Sequence, residues 1–153
     1  MPPSVSAFVT AGGGFLLCVL WFDLMFDVQV RGHHERELPE GPLASIAGYY
    51  GRVTTSARPM NRLIAAVMVG TLAAIVVEIV EGDGPGWVPW VSLALAAAPI
   101  LLAGARTVPS AVRLGGRRDT IEAQSALARS IFHEHLLCIA VIAALLVVQL
   151  SAA

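Results

Sequence analysis

Val5 to Val30 reads VSAFVTAGGGFLLCVLWFDLMFDVQV, and this stretch decides the fold. It carries no charge until Asp23 and Asp27. Its twenty-six residues, at 1.5 Å of helical rise each, reach ~39 Å and exceed the ~30 Å of a bilayer's hydrocarbon. It does not read as a cleavable signal. No basic segment precedes it, it is longer than a typical apolar signal core, and it ends in Asp, Gln and Arg without a small-residue cleavage site. The expectation is a retained membrane helix. Gly12, Gly13 and Gly14 would let a neighbouring helix approach closely.

The rest of the 153-residue chain agrees. It is 56% hydrophobic and 14% charged, with a mean hydropathy of +0.73. Soluble domains carry about 25% charged residues. Three further apolar runs are expected to span, at about 60–80, 87–105 and 130–151, giving one all-α transmembrane four-helix bundle over residues 1–153. Ala66, Gly70 and Ala74 form a small-residue stripe on the second span, and Ala140 and Ala144 another on the fourth. Pro99 lies inside the third span. It removes the hydrogen bond to the Leu95 carbonyl and is expected to kink the helix.

Two large connections separate these runs. Arg31 to Met60 contains a turn-forming HHERELPEGP, then a segment with Ile46, Tyr50 and Val53 at helical spacing. That segment is expected to lie on the membrane interface with Tyr49 and Tyr50 at headgroup level. Arg106 to Ser130 carries LGGRRD (Leu114 to Asp119), suited to anchoring on lipid phosphates. From there a helix capped by Asp119 or Thr120 should run into the fourth span. Between the second and third spans is only the tight turn EGDGPG (Glu81 to Gly86), followed by Trp87 and Trp90 as an aromatic belt.

All ten basic residues are Arg, and all fall in or beside the two large connections. The positive-inside rule then places both connections in the cytoplasm and both termini outside, in a cell membrane. The net charge of −1 gives no reason to expect a nucleic-acid partner. The expected partners are the lipid bilayer and either further copies of the chain or a larger membrane complex, because a thin bundle with small-residue faces has surface to share.

Polar groups that could carry chemistry gather toward the Arg-rich side. Asp23 and Asp27 are one turn apart on one helix face. His133, Glu134 and His135 enter the fourth span from the same side. Ionisable groups inside a membrane are costly and mark functional sites or internal ion pairs. The structural reading pairs Asp23 or Asp27 with Arg62 or Arg129. The chemical reading is a proton or divalent-metal site drawn from Asp23, Asp27, His133, Glu134 and His135, with Asp23, Asp27 and His133 as the candidate metal ligands. His133 and His135 point about 200° apart on a helix, so at most one easily joins Asp27. HEH is not the HExxH of zinc peptidases. No GxSxG nucleophile motif or phosphate-binding loop occurs. Cys18 and Cys138 sit in apolar runs and read as small buried hydrophobes.

In size and helix count the chain resembles several groups of small four-helix membrane proteins, including the glutathione-using eicosanoid-type enzymes and the anthrone-oxygenase-like group. The first group's pattern of Arg, Asn and Glu along its second helix is not reproduced by Asn61, Arg62 and Glu78. The likeness is architectural and does not fix function. Two functional expectations follow. The first is a small polytopic membrane protein, an oligomeric or accessory/transport-type subunit with an Asp/His/Glu cluster on the cytoplasmic side. The alternative is a membrane-embedded, metal-assisted or redox enzyme acting on a lipid-like substrate.

Overall fold

A computed structural model describes residues 5–56, 58–82 and 85–152. Six α-helices follow in order: α1 (Val5–Asp27), α2 (Glu40–Gly51), α3 (Arg58–Glu81), α4 (Trp87–Leu102), α5 (Val108–Gly116) and α6 (Ile121–Ser151). Among the described residues there is no strand. Four helical stretches are long and apolar enough to cross a membrane: Val5–Val30, Pro59–Glu81, Trp87–Gly116 and Ile121–Ser151. Asp83 and Gly84 of the expected EGDGPG turn lie outside the described residues.

The long helices form an antiparallel bundle in which α1 packs on α3 and α6, and α4 packs on α3 and α6. The triglycine explains the first pair of contacts. A Cβ on Gly12 would run into the Thr71 hydroxyl of α3, and one on Gly13 would meet the Leu146 side chain of α6 at 3.0 Å. Gly14 has open space around it. Two of the three glycines therefore serve as a notch for two different neighbours.

The other small-residue faces do not pack in this way. Ala66 and Gly70 on α3 are exposed, and so are Ala140 and Ala144 on α6. From Asn61 to Gly70, α3 has no buried residue at all. It joins the core only further along, through Thr71 and Ile75. Pro99 is buried within α4, and the helix continues through it. Regular α geometry gives way one turn later, to a π-helical stretch over Ala103–Thr107. The third long helix thus runs on into α5.

The two connections are the larger surprise. The segment around Tyr49 and Tyr50 is not a lone surface helix. It forms α2, which buries Leu43, Ile46, Ala47 and Tyr50 against Ala111 and Leu114 of α5 and Ala128, Ile131 and Phe132 of α6. Tyr50 of this segment turns into the protein. Leu43, Ile46, Ala47 and Tyr50 recur at helical spacing and make one continuous apolar face. Burying a side chain the size of Leu43 or Ile46 stabilises by roughly 1.5–3 kcal/mol relative to leaving it in water.

Backbone contact lets α2 and α5 cross closely. A Cβ on Gly115 would meet the Gly51 amide nitrogen at 2.5 Å, and one on Gly51 would meet the Gly115 carbonyl oxygen at 3.2 Å. Arg117, in the left-handed region at φ 47°, ends α5 and turns its guanidinium onto Glu40 at the start of α2, 2.9 Å away. That hydrogen bond holds the Glu40 carboxyl below its ordinary range and the Arg117 guanidinium above its own. Arg129 of α6 donates to the backbone carbonyls of His33, Glu35 and Arg36, and Ser125 accepts from the Leu38 amide at 2.9 Å. Thr120 caps α6, accepting from the Ala123 amide at 3.3 Å. At ~46 Å by helical rise, its 31 residues outreach the hydrocarbon. The first turns of α6 therefore belong to a cap made of α2, α5 and the 31–39 loop.

Candidate functional site

The crossing of α2 over the end of α1 builds the site. Asp23 and Asp27 stand one turn apart on α1, and Tyr49 and Tyr50 are neighbours on α2. Each tyrosine serves one carboxylate. Tyr49 Oη donates to Asp23 Oδ1 at 2.6 Å, and Tyr50 Oη donates to Asp27 Oδ1 at 2.7 Å. The remaining oxygen of each carboxylate faces His135 of α6. Asp27 Oδ2 is 2.6 Å from Nδ1, and Asp23 Oδ2 is 3.9 Å from Nε2. One imidazole thus stands between two carboxylates, and each carboxylate is steadied by a phenol.

Burial grades the cluster. Asp27 is completely inaccessible and Tyr50 and His135 are buried, whereas the Asp23 side chain keeps 17% of its surface. The Phe26 ring stacks on Tyr49 at a centroid distance of 4.0 Å, and Tyr49 meets Tyr50 edge-on at 5.2 Å. This fixes both phenols in direction. Burial first, and then the hydrogen bond to Asp23, pushes the Tyr49 phenol well above its usual range. Burial, and then the negative field of Asp27, does the same to Tyr50. Both therefore remain donors throughout the neutral range.

The hydrogen bonds also assign the imidazole tautomer. A carboxylate accepts, so Nδ1 carries the proton shared with Asp27. Nε2 has no hydrogen-bond partner. Nor is it sealed off. The His135 and Asp23 side chains keep 8% and 17% of their surface.

The expected site residues part company here. Asp23, Asp27 and His135 come together. His133 does not join them. It is exposed, and its ring nitrogen approaches the Arg129 carbonyl of its own helix at 2.7 Å. Glu134 makes a separate cluster, accepting from Thr107 at 2.7 Å and Ser130 at 2.9 Å, with Arg106 at 3.5 Å. Thr107 reaches it because the π-helical stretch rotates that residue inward, a frequent use of such stretches.

The expected arginine pairing is corrected. Arg129 is held by loop carbonyls, and Arg62 is exposed on the stretch of α3 that stands clear of the core. Tyrosines and a histidine occupy the places around the carboxylates instead. Among the described residues no three His, Cys, Asp or Glu side chains form a metal-holding group. Asp27 and His135 sit at direct hydrogen-bond distance, too close for an ion between them.

Tyr49 and Tyr50 are the functional residues the sequence reading misplaced. A signal existed, since Tyr50 shares a face with Leu43, Ile46 and Ala47. Likewise His135 belongs to the α6 stripe Ala128, Ile131, Cys138, Ile142, Leu145 and Gln149, all buried, and His133 does not.

At the opposite end of the bundle, Gln149 Nε2 donates to Glu78 Oε2 at 3.1 Å and to Ser92 Oγ at 3.0 Å. Between the two polar groups lies an apolar layer of Val9, Ile75, Ala96, Ile142 and Leu145.

Fold and site together define an all-helical bundle with four helices fit to cross a membrane and a polar network buried under a cap at one end. Comparison with protein-family models, with curated proteins and with solved structures finds no match for this chain.

Proposed function

We propose that the protein is a small polytopic integral-membrane protein in which Asp27 and His135 form an acid–base centre that binds and exchanges a proton on one side of the bilayer. The ten arginines in or beside the two large connections support a cytoplasmic position for that side and its cap, with both termini outside. The observation that carries the reading is the fully buried Asp27, 2.6 Å from His135 Nδ1, with Tyr50 as its other partner and, among the described residues, no arginine paired with it. A carboxylate that fixes Nδ1 and leaves Nε2 free is the arrangement that makes an imidazole a directed base.

The apolar layer of Val9, Ile75, Ala96, Ile142 and Leu145 favours exchange from one side over a path through a single copy. The centre therefore suits a subunit of a homo-oligomer or of a larger membrane complex. The exposed Ala66–Gly70 and Ala140–Ala144 faces leave surface for such contacts. A second reading, an enzyme acting on a lipid-like substrate, is favoured by the accessible, unpartnered Nε2.

Nitrogen NMR of histidine-labelled protein in lipid nanodiscs tests the proposal, with His135→Gln identifying the resonance. The expected outcome is an Nδ1-protonated ring that changes state with pH, and whose tautomer preference is lost in Asp27→Asn. A His135 signal that stays fixed over the range in which free imidazoles titrate would reduce the pair to a structural tie.

A further inference from the structure

The gap between His135 Nε2 and Asp23 Oδ2 has the dimensions of a hydroxyl site. At 3.9 Å it is too wide for a direct hydrogen bond, but an oxygen about 2.8 Å from each atom fits between them. With Nδ1 hydrogen-bonded to Asp27, a protonated ring offers Nε2–H outward. A hydroxyl accepts that hydrogen and gives its own to Asp23 Oδ2, so every donor and acceptor is used once. His135 is only 6% exposed, and its Nε2, without a hydrogen bond among the described residues, faces Asp23 Oδ2 across this gap.

The surroundings indicate where such a group would come from. The cap is closed, with Leu43, Ile46, Ala47 and Tyr50 packed beneath it and Arg129 strapping the 31–39 loop. On the α3 side no residue from Asn61 to Gly70 is buried, and Leu63 is about half-exposed. Asp23 itself lies about 10 Å by helical rise inside the end of its apolar run. Beside it stands the stacked pair of Phe26 and Tyr49.

We infer that this gap binds the hydroxyl of a bilayer-dissolved molecule, an apolar alcohol or phenol that reaches Asp23 laterally between α1 and α3. The inference rests on the acid–base reading of Asp27 and His135 and names the ligand class of that centre. The same hydroxyl chemistry occurs on polyol lipid headgroups.

The test uses the full chain in phosphatidylcholine nanodiscs, with naphthol as the probe and its methyl ether as the control, read by fluorescence against empty nanodiscs. The expected result is saturable naphthol binding at one site per chain, no saturable binding of the ether, and affinity about tenfold or more weaker in Asp23→Asn, as loss of a charge-assisted hydrogen bond implies. Displacement of naphthol when phosphatidylglycerol is added would identify the natural hydroxyl as a headgroup's. Equal behaviour of naphthol and its ether in the wild type, which needs no variant to fold, would leave the gap to water and overturn the inference. If that happens while His135 still titrates by NMR, only the ligand assignment falls. A His135 that never titrates removes the acid–base centre itself.

Discussion

The two ends of the bundle solve the same problem differently. At the capped end, two carboxylates and an imidazole meet two phenols of α2, with Asp27, Tyr50 and His135 buried. At the other end a single amide, Gln149, joins Glu78 and Ser92 beside a short turn. A neutral amide with two donors needs little shelter. Buried carboxylates need their oxygens matched, because unpaired charge in a low-dielectric interior is far more costly than an unpaired amide. The cap supplies those partners, and the five residues between α3 and α4 are too few to do so.

Removing the centre of each cluster should expose the difference. Asp27→Ala leaves the Tyr50 hydroxyl and His135 Nδ1 buried without their partner, and breaking a buried pair in this way costs ~3–5 kcal/mol. Gln149→Leu gives up two interhelical hydrogen bonds, which average ~0.6 kcal/mol each in membrane helices, so it should cost about 1 kcal/mol. Unfolding titrations in mixed micelles measure both. Equal losses would mean that the cap does not set the two ends apart.

The glycines sharpen the contrast at the next level. Gly115→Ala drives a methyl into the Gly51 backbone, where neither helix can yield without moving the cap, and ~1–3 kcal/mol of overpacking is expected. Gly70→Ala meets nothing within 4 Å and should leave stability unchanged or raise it by up to ~1 kcal/mol through helix propensity. If instead Gly70→Ala breaks an oligomer, as seen by cross-linking in nanodiscs, that face is covered by another copy.

The mildest perturbation is pH. The chain has two tyrosines, both in the site, so the ultraviolet phenolate band reports on nothing else. Their phenols are raised above the ordinary value of 10.0, so the folded state holds those protons more tightly than the unfolded state. The resulting stability is fully present below pH 10.0 and is lost as pH rises through the raised values. The folded protein should show little phenolate just above pH 10.0, with the band appearing on unfolding. A normal titration in the folded state would place Tyr49 and Tyr50 in contact with water.

Much of this was legible in advance, for a definite reason. Hydropathy and length are properties of a segment alone. The four long helices, the Thr120 cap and the one-turn spacing of Asp23 and Asp27 could therefore be read from the chain. Which helix face turns inward is also partly local, and the α6 stripe that carries His135 rather than His133 was there to be followed. The partners of Asp23 and Asp27 were not. An aspartate in an apolar run needs hydrogen-bond donors, and arginine is the nearest guess from composition. The donors it received come from Tyr49 and Tyr50 because α2 crosses α5 at Gly51 and Gly115 and folds back over α1. That crossing depends on contacts between residues more than sixty positions apart, which no local pattern encodes. The sequence by itself determined the long helices and where the charges fall along them, since both are properties of a segment alone. Only the tertiary structure decided which groups meet, because each buried charge is satisfied by whatever donor the packing brings within reach.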